Sequence, residues 1–471
     1  MHTSRKTKIV ATIGPGSEKP ETLAKLFHAG VNVTRSNMSH GDHEEHSKRI
    51  KTIKAVAKKE KVDIALLLDL SGPKIRIGDF KEGFAEIVEG QEFILSGKKC
   101  EGDSTKVYFN YPNIKKDIKE GQVLMLDDGR KKLTVTKVIG TDIYTHVDVG
   151  GKMKSRRGVN IPGAYLSISA ITEKDKADLE FGIKMGVDII ALSFVRTGKD
   201  IEILRELIKS HGGNQIIISK IETEEALQNI DSIIETTDAV MVARGDLAVE
   251  IGPERVPNAQ KMIIRKCNEL GKPVIVATQM LESMINTPVP TRAEVSDVAN
   301  AIFDGADAVM LSEETALGSF PVEAVSTMVR VALEVEQEIG THNRFKVHHD
   351  SLVDSISSSI VHIAEDVKAK VIVSMTMSGT TPRLIARYRP QQPILTITPH
   401  EHIAKQLILS YGCYPLIIKK FRTLEEAEKV INTYLKTQKI VEAGDRIVIS
   451  AGIPFGTKSG LTNTLVVSTA K

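Results

Sequence analysis

The sequence predicts an α/β protein whose main domain is a (β/α)8 TIM barrel. In residues 1–70 and 169–340, a short apolar strand, a turn and an amphipathic helix alternate in one repeating pattern. Eight such units are typical of a closed parallel barrel with a core of about 250 residues. A doubly wound open sheet is the alternative, but the chain lacks the glycine-rich dinucleotide fingerprint that often accompanies it. The candidate strands are 8–13, 31–35, 64–69, 188–193, 215–220, 239–244, 273–278 and 308–312.

A segment with a different residue pattern separates the third and fourth predicted strands. Between residues 71 and 168, stretches that alternate apolar and polar residues, such as 132–138 and 143–149, are divided by turns that include Asp127-Asp128-Gly129. This alternation is typical of half-buried strands and predicts a small all-β domain at 71–168. Because the domain leaves the C-terminal end of a barrel strand, we expect it to act as a lid.

The pattern changes again after residue 340. A helical periodicity over 351–365 is followed by predicted strands at 369–375, 394–398, 415–418 and 446–450. Strands that alternate with helical segments indicate a further α/β unit. We therefore predict a separate C-terminal α/β domain at 341–471.

Composition limits the class of protein. Lys and Arg number 63 against 60 Asp and Glu, so charge gives no reason to expect binding to nucleic acid or to an anionic membrane. The three cysteines form no CxxC spacing, which suits a reducing compartment. No apolar stretch approaches the length of a membrane span or of a signal peptide. We expect a cytoplasmic globular protein.

The segment Ile216-Ile217-Ile218-Ser219-Lys220-Ile221-Glu222 carries the strongest signal of chemistry. Its isoleucines are typical of a strand buried on both faces of a parallel sheet. Side chains alternate along a strand, so Lys220 and Glu222 are expected on the same face at its C-terminal end. A buried strand that ends in a charged pair indicates an active site rather than a core.

Charged or polar residues also follow other predicted strands. The C-terminal rim of a (β/α)8 barrel is where the active site is expected. Six of the eight strand ends have such residues, and they include Arg35, Asp69, Lys220, Glu222, Asp246, Thr278 and Ser312.

The residue types at this rim indicate a reaction class. Glu222 and Asp246 are hard oxygen donors without a neighbouring His or Cys, which favours Mg²⁺ or Mn²⁺. Lys220 and Arg35 supply positive charge for a phosphoryl group. No Walker A motif or glycine-rich kinase loop is present. These residues predict a Mg²⁺-dependent enzyme that acts on a small phosphorylated or enolisable carboxylate.

Several motifs closely resemble those of the pyruvate kinase family, over essentially the whole chain. The resemblance implies phosphoryl transfer from phosphoenolpyruvate to ADP, which gives pyruvate and ATP at the last step of glycolysis, and a homotetramer. The motifs are 32–40, Gly158-Val159-Asn160-Ile161-Pro162-Gly163, Ile218-Ser219-Lys220-Ile221-Glu222, Ala243-Arg244-Gly245-Asp246-Leu247, Ala277-Thr278-Gln279-Met280-Leu281-Glu282-Ser283-Met284 and Pro290-Thr291-Arg292-Ala293-Glu294.

The resemblance implies how the rim residues share the reaction. Glu222 and Asp246 would bind the divalent metal ion. Arg35 and Lys220 would neutralise the phosphoryl oxygens, with Lys220 as the principal stabiliser of the transition state.

It also implies a carboxylate site and a proton donor. The substrate carboxylate would be held by Gly245, Asp246 and Thr278. A threonine hydroxyl has too high a pKa to act alone as an acid, so we expect Thr278 to end a water relay that includes Ser312 and protonates the enolate.

The nucleotide would lie between the barrel and the lid. Arg76 and Arg157, at the two joints of the inserted domain, would contact the ADP phosphates, with Asn37 and His40 nearby. A second Mg²⁺ would arrive with the nucleotide. Asp128 would lie at the inner edge of the lid.

The chain departs from many family members in its monovalent cation site. Relatives that need K⁺ bind it through positions matching Asn37, Ser39, Asp69 and the carbonyl of Leu70, and they have Glu where this chain has Lys74. An ammonium group there could supply the charge of the missing ion. We therefore expect activity that does not require K⁺. The second departure is Glu313, which replaces a glycine before Glu314.

The C-terminal domain contains a predicted effector site. Hydroxyl groups and a glycine lie between a strand and a helix start, where free N–H groups favour an anion. In the family the matching loop binds a phosphorylated activator, and the segment 456–462 would close over it. Fructose 1,6-bisphosphate, ribose 5-phosphate and AMP remain possible ligands. The loop residues are Thr376, Ser378, Gly379, Thr380 and Thr381.

Two other functions remain open from the residues alone. One is a Mg²⁺-dependent (β/α)8 lyase or aldolase on pyruvate or oxaloacetate, which would need neither the nucleotide-facing arginines nor the lid. The other is a catalytically silent sugar-phosphate sensor. The histidines at 342, 348 and 349 are expected to belong to a polar linker rather than to a metal site.

Overall fold

The computed structural model describes residues 5–342, 351–418, 421, 423–453 and 462–470. It contains a closed barrel of eight parallel strands, which neighbour one another in chain order while the last pairs with the first. Every predicted barrel strand is confirmed, with ends that shift by at most two residues. The barrel strands are Lys8–Thr12, Val33–Asn37, Ala65–Leu70, Ile189–Leu192, Ile216–Ile221, Ala239–Ala243, Val274–Ala277 and Ala308–Leu311.

Helices cover the outside of the barrel. Several begin at a capping box, in which Thr172, Thr197 or Thr291 and an acidic residue three positions later satisfy the free N–H groups of the first turn. The α-helices are Pro20–Ala29, His43–Glu60, Glu173–Lys184, Gly198–Ser210, Glu224–Gln228, Ile230–Thr236, Arg244–Ile251, Val256–Glu269, Arg292–Phe303, Glu313–Ala316 and Pro321–His342, with 3-10 turns at Pro253–Arg255 and Glu282–Ile285.

Alternation along the strands fills the barrel interior and builds the rim. Ile216 and Ile218 belong to the interior cluster, whereas Ile217 packs outward under the helices. The same parity continues to Lys220 and Glu222, so both lie inside the C-terminal rim. Corresponding interior residues on other strands are Val33, Ala65, Leu67, Met241, Ala277 and Met310.

The segment between the third and fourth barrel strands folds as the predicted all-β domain, which we call the lid. Its two longest strands, Lys131–Ile139 and Asp142–Val149, form an antiparallel hairpin. The turn at Asp127, Asp128 and Gly129 has three consecutive positive φ angles, of 52°, 56° and 81°. The remaining elements are Phe84–Ile87, Glu92–Ser96, Lys106–Tyr108, Val123–Leu126, Gly151–Lys154, Val159–Asn160 and the short helix Ile114–Asp117.

The C-terminal part forms the predicted α/β unit with one additional strand. Four strands run parallel, and Thr464–Thr469 adds an antiparallel edge strand beside Arg446–Ala451 that the sequence pattern did not indicate. The other strands are Val371–Met375, Ile394–Thr398 and Cys413–Ile417, and the helices are Leu352–Asp366, Thr380–Ala386, Glu401–Leu407 and Leu424–Thr437.

The C-terminal unit closes the N-terminal end of the barrel, which we call the base. Ile408 and Leu409 join the cluster inside the barrel. Arg389, which is 3% exposed, donates to both carboxylate oxygens of Asp307 at 3.0 Å. Lys8 donates to the carbonyl of Cys413 at 2.7 Å. These contacts leave the opposite end, the rim, for the lid.

The helices within the described ranges include none that is long and apolar enough to cross a membrane.

Candidate active site

Lys220 lies at the centre of the rim among three oxygen partners. Its ammonium is 2.9 Å from the Glu222 carboxylate, 3.3 Å from Asp69 and 2.7 Å from the hydroxyl of Ser193. Burial disfavours the charged form, but the two carboxylates outweigh it and raise the pKa of Lys220 above its usual value. The predicted neighbourhood of Lys220 and Glu222 is confirmed, and the side chain carries a positive charge.

Arg35 approaches from the second strand. Its Nε donates to Asp69 at 2.7 Å, and Nη1 donates to the hydroxyl of Thr12 at 2.9 Å. Burial would raise the pKa of Asp69, but Lys220 and Arg35 outweigh it and lower that pKa. Asp69 therefore remains ionised and holds both cations on one side of the rim.

Asp246 faces these groups without a partner of its own. It forms no hydrogen bond or ion pair with any residue in the described part of the chain. Burial, followed by the nearby charge of Glu222, raises the pKa of Asp246 to about 6. A carboxylate whose pKa is raised by burial and by a neighbouring carboxylate favours a cation between the two.

The donor set at this position fits a hard divalent ion. Glu222 is 1% exposed, and its second oxygen accepts the backbone N–H of Phe194 at 2.8 Å, which fixes its orientation. Within the described ranges, no group of three or more His, Cys, Asp or Glu residues could hold a metal. Two carboxylates without a third protein ligand leave coordination positions for substrate oxygens and water, as is usual for Mg²⁺.

Gly245 and Thr278 form the next part of the rim. The helix Arg244–Ile251 begins directly after its strand, which leaves the N–H groups of Gly245 and Asp246 in its first turn. Thr278 has a φ of +77°, unusual for a β-branched residue. A Cβ at position 245 would lie 3.0 Å from the methyl carbon of Thr278, so a glycine there allows the close approach.

Ser312 ends the eighth strand at the same rim. Its backbone N–H donates to the Glu314 carboxylate at 2.7 Å, and Glu314 also accepts the N–H of Leu281 at 3.1 Å. Glu314 thus connects the ends of the seventh and eighth strands. Glu313, which replaces the usual glycine before Glu314, is exposed and lines the cleft described next.

A cleft of about 400 Å³ lies between the rim and the lid. Arg157 pairs with Asp127 at 3.1 Å, and Arg76 donates to the carbonyl of Arg156 at 3.3 Å. Burial, Lys74 and Arg76 lower the pKa of His40. The structure therefore brings several predicted nucleotide residues to one cavity, whose lining includes His40, Lys74, Arg76, Asp128, Arg157 and Asp246.

The predicted K⁺ ligands already have partners in the chain. Asp69 is paired with Lys220 and Arg35, and the carbonyl of Leu70 accepts the hydroxyl of Ser193 at 2.7 Å. Asn37 accepts the N–H of Ser39 at 3.1 Å. Burial, followed by repulsion from Lys220, lowers the pKa of Lys74, which places that ammonium within electrostatic reach of the site.

The predicted effector loop forms a compact turn. Gly379 has a φ of +83°, and its N–H donates to the hydroxyl of Thr376 at 2.8 Å. The hydroxyls of Ser378 and Thr380 are 3.0 Å apart, and Thr381 contacts the hydroxyl of Thr462. Positions 456–461 of the predicted closing segment, and the histidines at 348 and 349, lie outside the described residues.

Two contributors to the site were absent from the sequence-based set. Ser193 ends the fourth predicted strand, so the same strand-end rule could have identified it as the partner of Lys220. Arg244 donates to the carbonyl of Thr278 at 2.7 Å. No local pattern indicates that contact, because it joins the ends of two strands.

Comparison with known proteins agrees with this geometry. A family model described as "Pyruvate kinase, barrel domain" matches residues 4–325, and one described as "Pyruvate kinase, alpha/beta domain" matches 354–468. The chain is 46% identical to a pyruvate kinase of Geobacillus stearothermophilus over 98% of its own length and 80% of the relative. For a pyruvate kinase of Clostridium perfringens the identity is 46%, over 98% and 99%.

The fold also matches a solved structure. The crystal structure of a pyruvate kinase from Cryptosporidium parvum superposes with a TM-score of 0.92 at 36% identity, covering 100% of this chain and 97% of that one. These matches favour neither the lyase nor the sensor alternative.

Proposed function

The chain belongs to the pyruvate kinase family, whose members form pyruvate and ATP from phosphoenolpyruvate and ADP, and we propose how its own residues divide this reaction. The observation that carries the proposal is the arrangement of Lys220 between Asp69 and Glu222, opposite the unpartnered Asp246. It combines a fixed cation with carboxylates suited to a divalent metal.

We propose that Glu222 and Asp246 hold Mg²⁺ or Mn²⁺. The fit follows from the paired carboxylates and from the N–H of Phe194 that orients Glu222. When bound there, the ion would supply positive charge to the oxygens of the substrate. A second Mg²⁺ would enter with the nucleotide.

Lys220 and Arg35 neutralise the phosphoryl oxygens during transfer. Both side chains are held by Asp69, so they need not reorganise when the phosphoryl group moves from the enolate oxygen to the nucleotide. Preorganised charge in a water-poor site is the main source of catalysis in phosphoryl transfer. Lys220 is the principal stabiliser in this proposal, because its ammonium is held in place by both Asp69 and the metal-binding Glu222.

The substrate carboxylate is bound by the N–H groups of Gly245 and Asp246 and by Thr278. The free N–H groups of the first turn of Arg244–Ile251 suit an anion. After transfer, the enolate receives a proton from a water relay that Thr278 and Ser312 delimit. Both residues lie at ends of neighbouring strands, which supports this assignment.

ADP occupies the cleft below the lid. Arg76 and Arg157 contact its phosphates, with Asn37 and His40 at the barrel side. Asp128, on the lid, lines the same cavity. Closure of the lid would exclude water from the transferring phosphoryl group.

Lys74 replaces a potassium ion in this site. Its ammonium lines the cleft and experiences the charges of Lys220 and Asp246. The oxygens of Asp69 and Leu70 that would bind K⁺ already accept hydrogen bonds. The enzyme therefore works without K⁺.

Regulation and assembly follow the family as further proposals. A sugar phosphate or AMP binds the loop Thr376, Ser378, Gly379, Thr380 and Thr381, and the protein is a cytoplasmic homotetramer. The barrel comprises residues 1–70 and 169–340, the lid 71–168 and the regulatory domain 341–471.

A coupled assay tests the proposed reaction and its need for a divalent ion. Purified protein is supplied with phosphoenolpyruvate, ADP and Mg²⁺, and ATP is measured with each candidate activator. We expect ATP in stoichiometric amounts with pyruvate, and its loss when EDTA removes the divalent ion. Pyruvate without ATP would instead indicate hydrolysis at the same rim.

A further inference from the structure

Thr278 holds a backbone conformation that it would not adopt alone. Its φ is +77°, and the next residue, Gln279, has a φ of +54°. The left-handed region is unfavourable for residues with a Cβ and is rare for β-branched residues. Such conformations persist only when surrounding contacts determine them. Two consecutive left-handed residues at the active-site rim therefore require an identifiable support.

Arg244 provides contacts of the kind needed. Its Nη2 donates to the carbonyl of Thr278 at 2.7 Å, and its Nε donates to the carbonyl of Ala277 at 3.2 Å. The guanidinium is thus bonded to the two peptide units that flank the change from extended to left-handed backbone. Its side chain is only 12% exposed, which strengthens these hydrogen bonds.

The orientation of Arg244 is set from the other side by Asp297. Nη1 and Nη2 each lie 2.7 Å from one oxygen of this carboxylate, which is a bidentate pair. The planar fork of an arginine can satisfy a carboxylate and backbone carbonyls together, whereas a lysine cannot. Asp297 belongs to the helix Arg292–Phe303, so the support for Thr278 comes from a rigid element.

Gly245 completes the arrangement. It is the residue directly after Arg244, and its missing side chain leaves room for the methyl group of Thr278. One short segment therefore bonds the carbonyl of Thr278 and leaves the space that its methyl group needs.

We infer that Arg244 is a positioning residue, which holds Thr278 in its left-handed conformation so that the hydroxyl faces the site of substrate carboxylate and enolate. The inference rests on the proposed function of Thr278. Arg244 itself touches neither substrate nor metal in this account. The competing explanation is structural, namely that Arg244 only fastens the helix Arg292–Phe303 to the barrel through Asp297.

Arg244→Lys separates these explanations when it is combined with a backbone change. The lysine keeps the charge but loses the fork, and we expect kcat to fall about 10- to 100-fold. Gln279 is exposed and forms no hydrogen bond in the described part of the chain. Glycine at 279 adopts a positive φ without strain. Gln279→Gly should therefore restore kcat of Arg244→Lys at least threefold, although it adds no contact.

Two further variants act as controls. Asp297→Asn keeps one acceptor oxygen for the guanidinium and leaves the bonds of Arg244 to the carbonyls of Ala277 and Thr278 available, so its kcat should fall clearly less than that of Arg244→Lys. Arg205→Lys makes the same chemical change at the base, where Arg205 donates to Asp238 and to the carbonyl of Thr236, each at 2.9 Å. Its kcat should be unchanged. Melting temperatures of all variants are measured in parallel, and Arg244→Gln replaces Arg244→Lys if the latter does not fold.

The outcomes distinguish failure of the inference from failure of the proposed function. A wild type that forms no ATP contradicts the proposed function. With an active wild type, the inference is overturned if Arg244→Lys retains kcat, if Gln279→Gly gives no rescue, or if Asp297→Asn loses as much as Arg244→Lys.

Discussion

One barrel strand has an aspartate near each of its ends, and the two aspartates differ in their hydrogen-bond partners. Asp238 precedes the strand Ala239–Ala243 at the base, and Asp246 follows it at the rim. Both side chains are half-buried. Asp238 accepts from Arg205 and from the N–H of Ile217, each at 2.9 Å. Asp246 has no such partner within the described residues, and burial beside Glu222 raises its pKa to about 6.

Two buried lysines repeat the contrast. Lys8, at the base, contacts a carbonyl and lies 4.3 Å from the ring centre of Tyr414, and burial lowers its pKa to about 8. Lys220, at the rim, lies between two carboxylates that raise its pKa despite similar burial. The surroundings of Lys8 therefore make its ammonium easier to deprotonate, whereas those of Lys220 favour the protonated form.

The rim and the base differ in how their charged groups are satisfied. Charged strand ends occur at both ends of the barrel, so their presence alone is not diagnostic. At the base, partners from the chain satisfy the acids. At the rim, an unpartnered carboxylate lines an open cleft, and a fixed cation and a strained Thr278 belong to the same rim. Groups that are costly to leave unsatisfied indicate a ligand.

The largest expected effect separates the two lysines. Lys220→Met should reduce kcat by roughly 10²–10³-fold or more, because it removes preorganised charge at the transferring group. Lys8→Met should leave kcat within about threefold, since Lys8 lies at the other end of the barrel. Steady-state kinetics on both variants, with circular dichroism to confirm folding, make the measurement. Equal losses of kcat in the two variants would contradict the proposed difference between rim and base.

A second change tests whether a rim cation can replace an ion. The wild type should have similar kcat in sodium and potassium buffers. Lys74→Glu should lose roughly tenfold or more in sodium and regain activity in potassium, because the new carboxylate can help to bind the ion. Rates are compared at equal ionic strength, with tetramethylammonium as the inert control. A wild type that is inactive in sodium alone would contradict the role of Lys74.

The smallest effect concerns the base and appears only as a pH dependence. Lys8 has a folded-state pKa of about 8, below its ordinary value of 10.5. Between these values the unfolded chain binds a proton that the folded chain does not, so stability from this group rises with pH. From pH 7.5 to 9.5, wild type should gain on the order of 1–2 kcal/mol relative to Lys8→Met. Over the same pH range, the melting temperature of wild type should rise by about 1–2 °C relative to that of Lys8→Met. A constant difference would mean that Lys8 does not titrate there.

The sequence predicted the barrel and the core of its site because both depend on local periodicity. Alternation alone places Lys220 and Glu222 together, and the ammonium lies 2.9 Å from the carboxylate in the structure. Arg244 could not be assigned in this way, since its function depends on which carbonyl the neighbouring strand presents. The strand Thr464–Thr469 was missed because only its pairing with Arg446–Ala451 identifies it as part of the sheet.

We propose that the rim, unlike the base, holds a divalent ion through Glu222 and the unpartnered Asp246. Calorimetric titration with Mn²⁺ tests it on wild type, Asp246→Asn and the matched base variant Asp238→Asn. We expect wild type and Asp238→Asn to bind Mn²⁺ with equal affinity. Asp246→Asn should bind it at least about tenfold more weakly. Equal binding by Asp246→Asn and wild type, or no binding by wild type, would contradict the account.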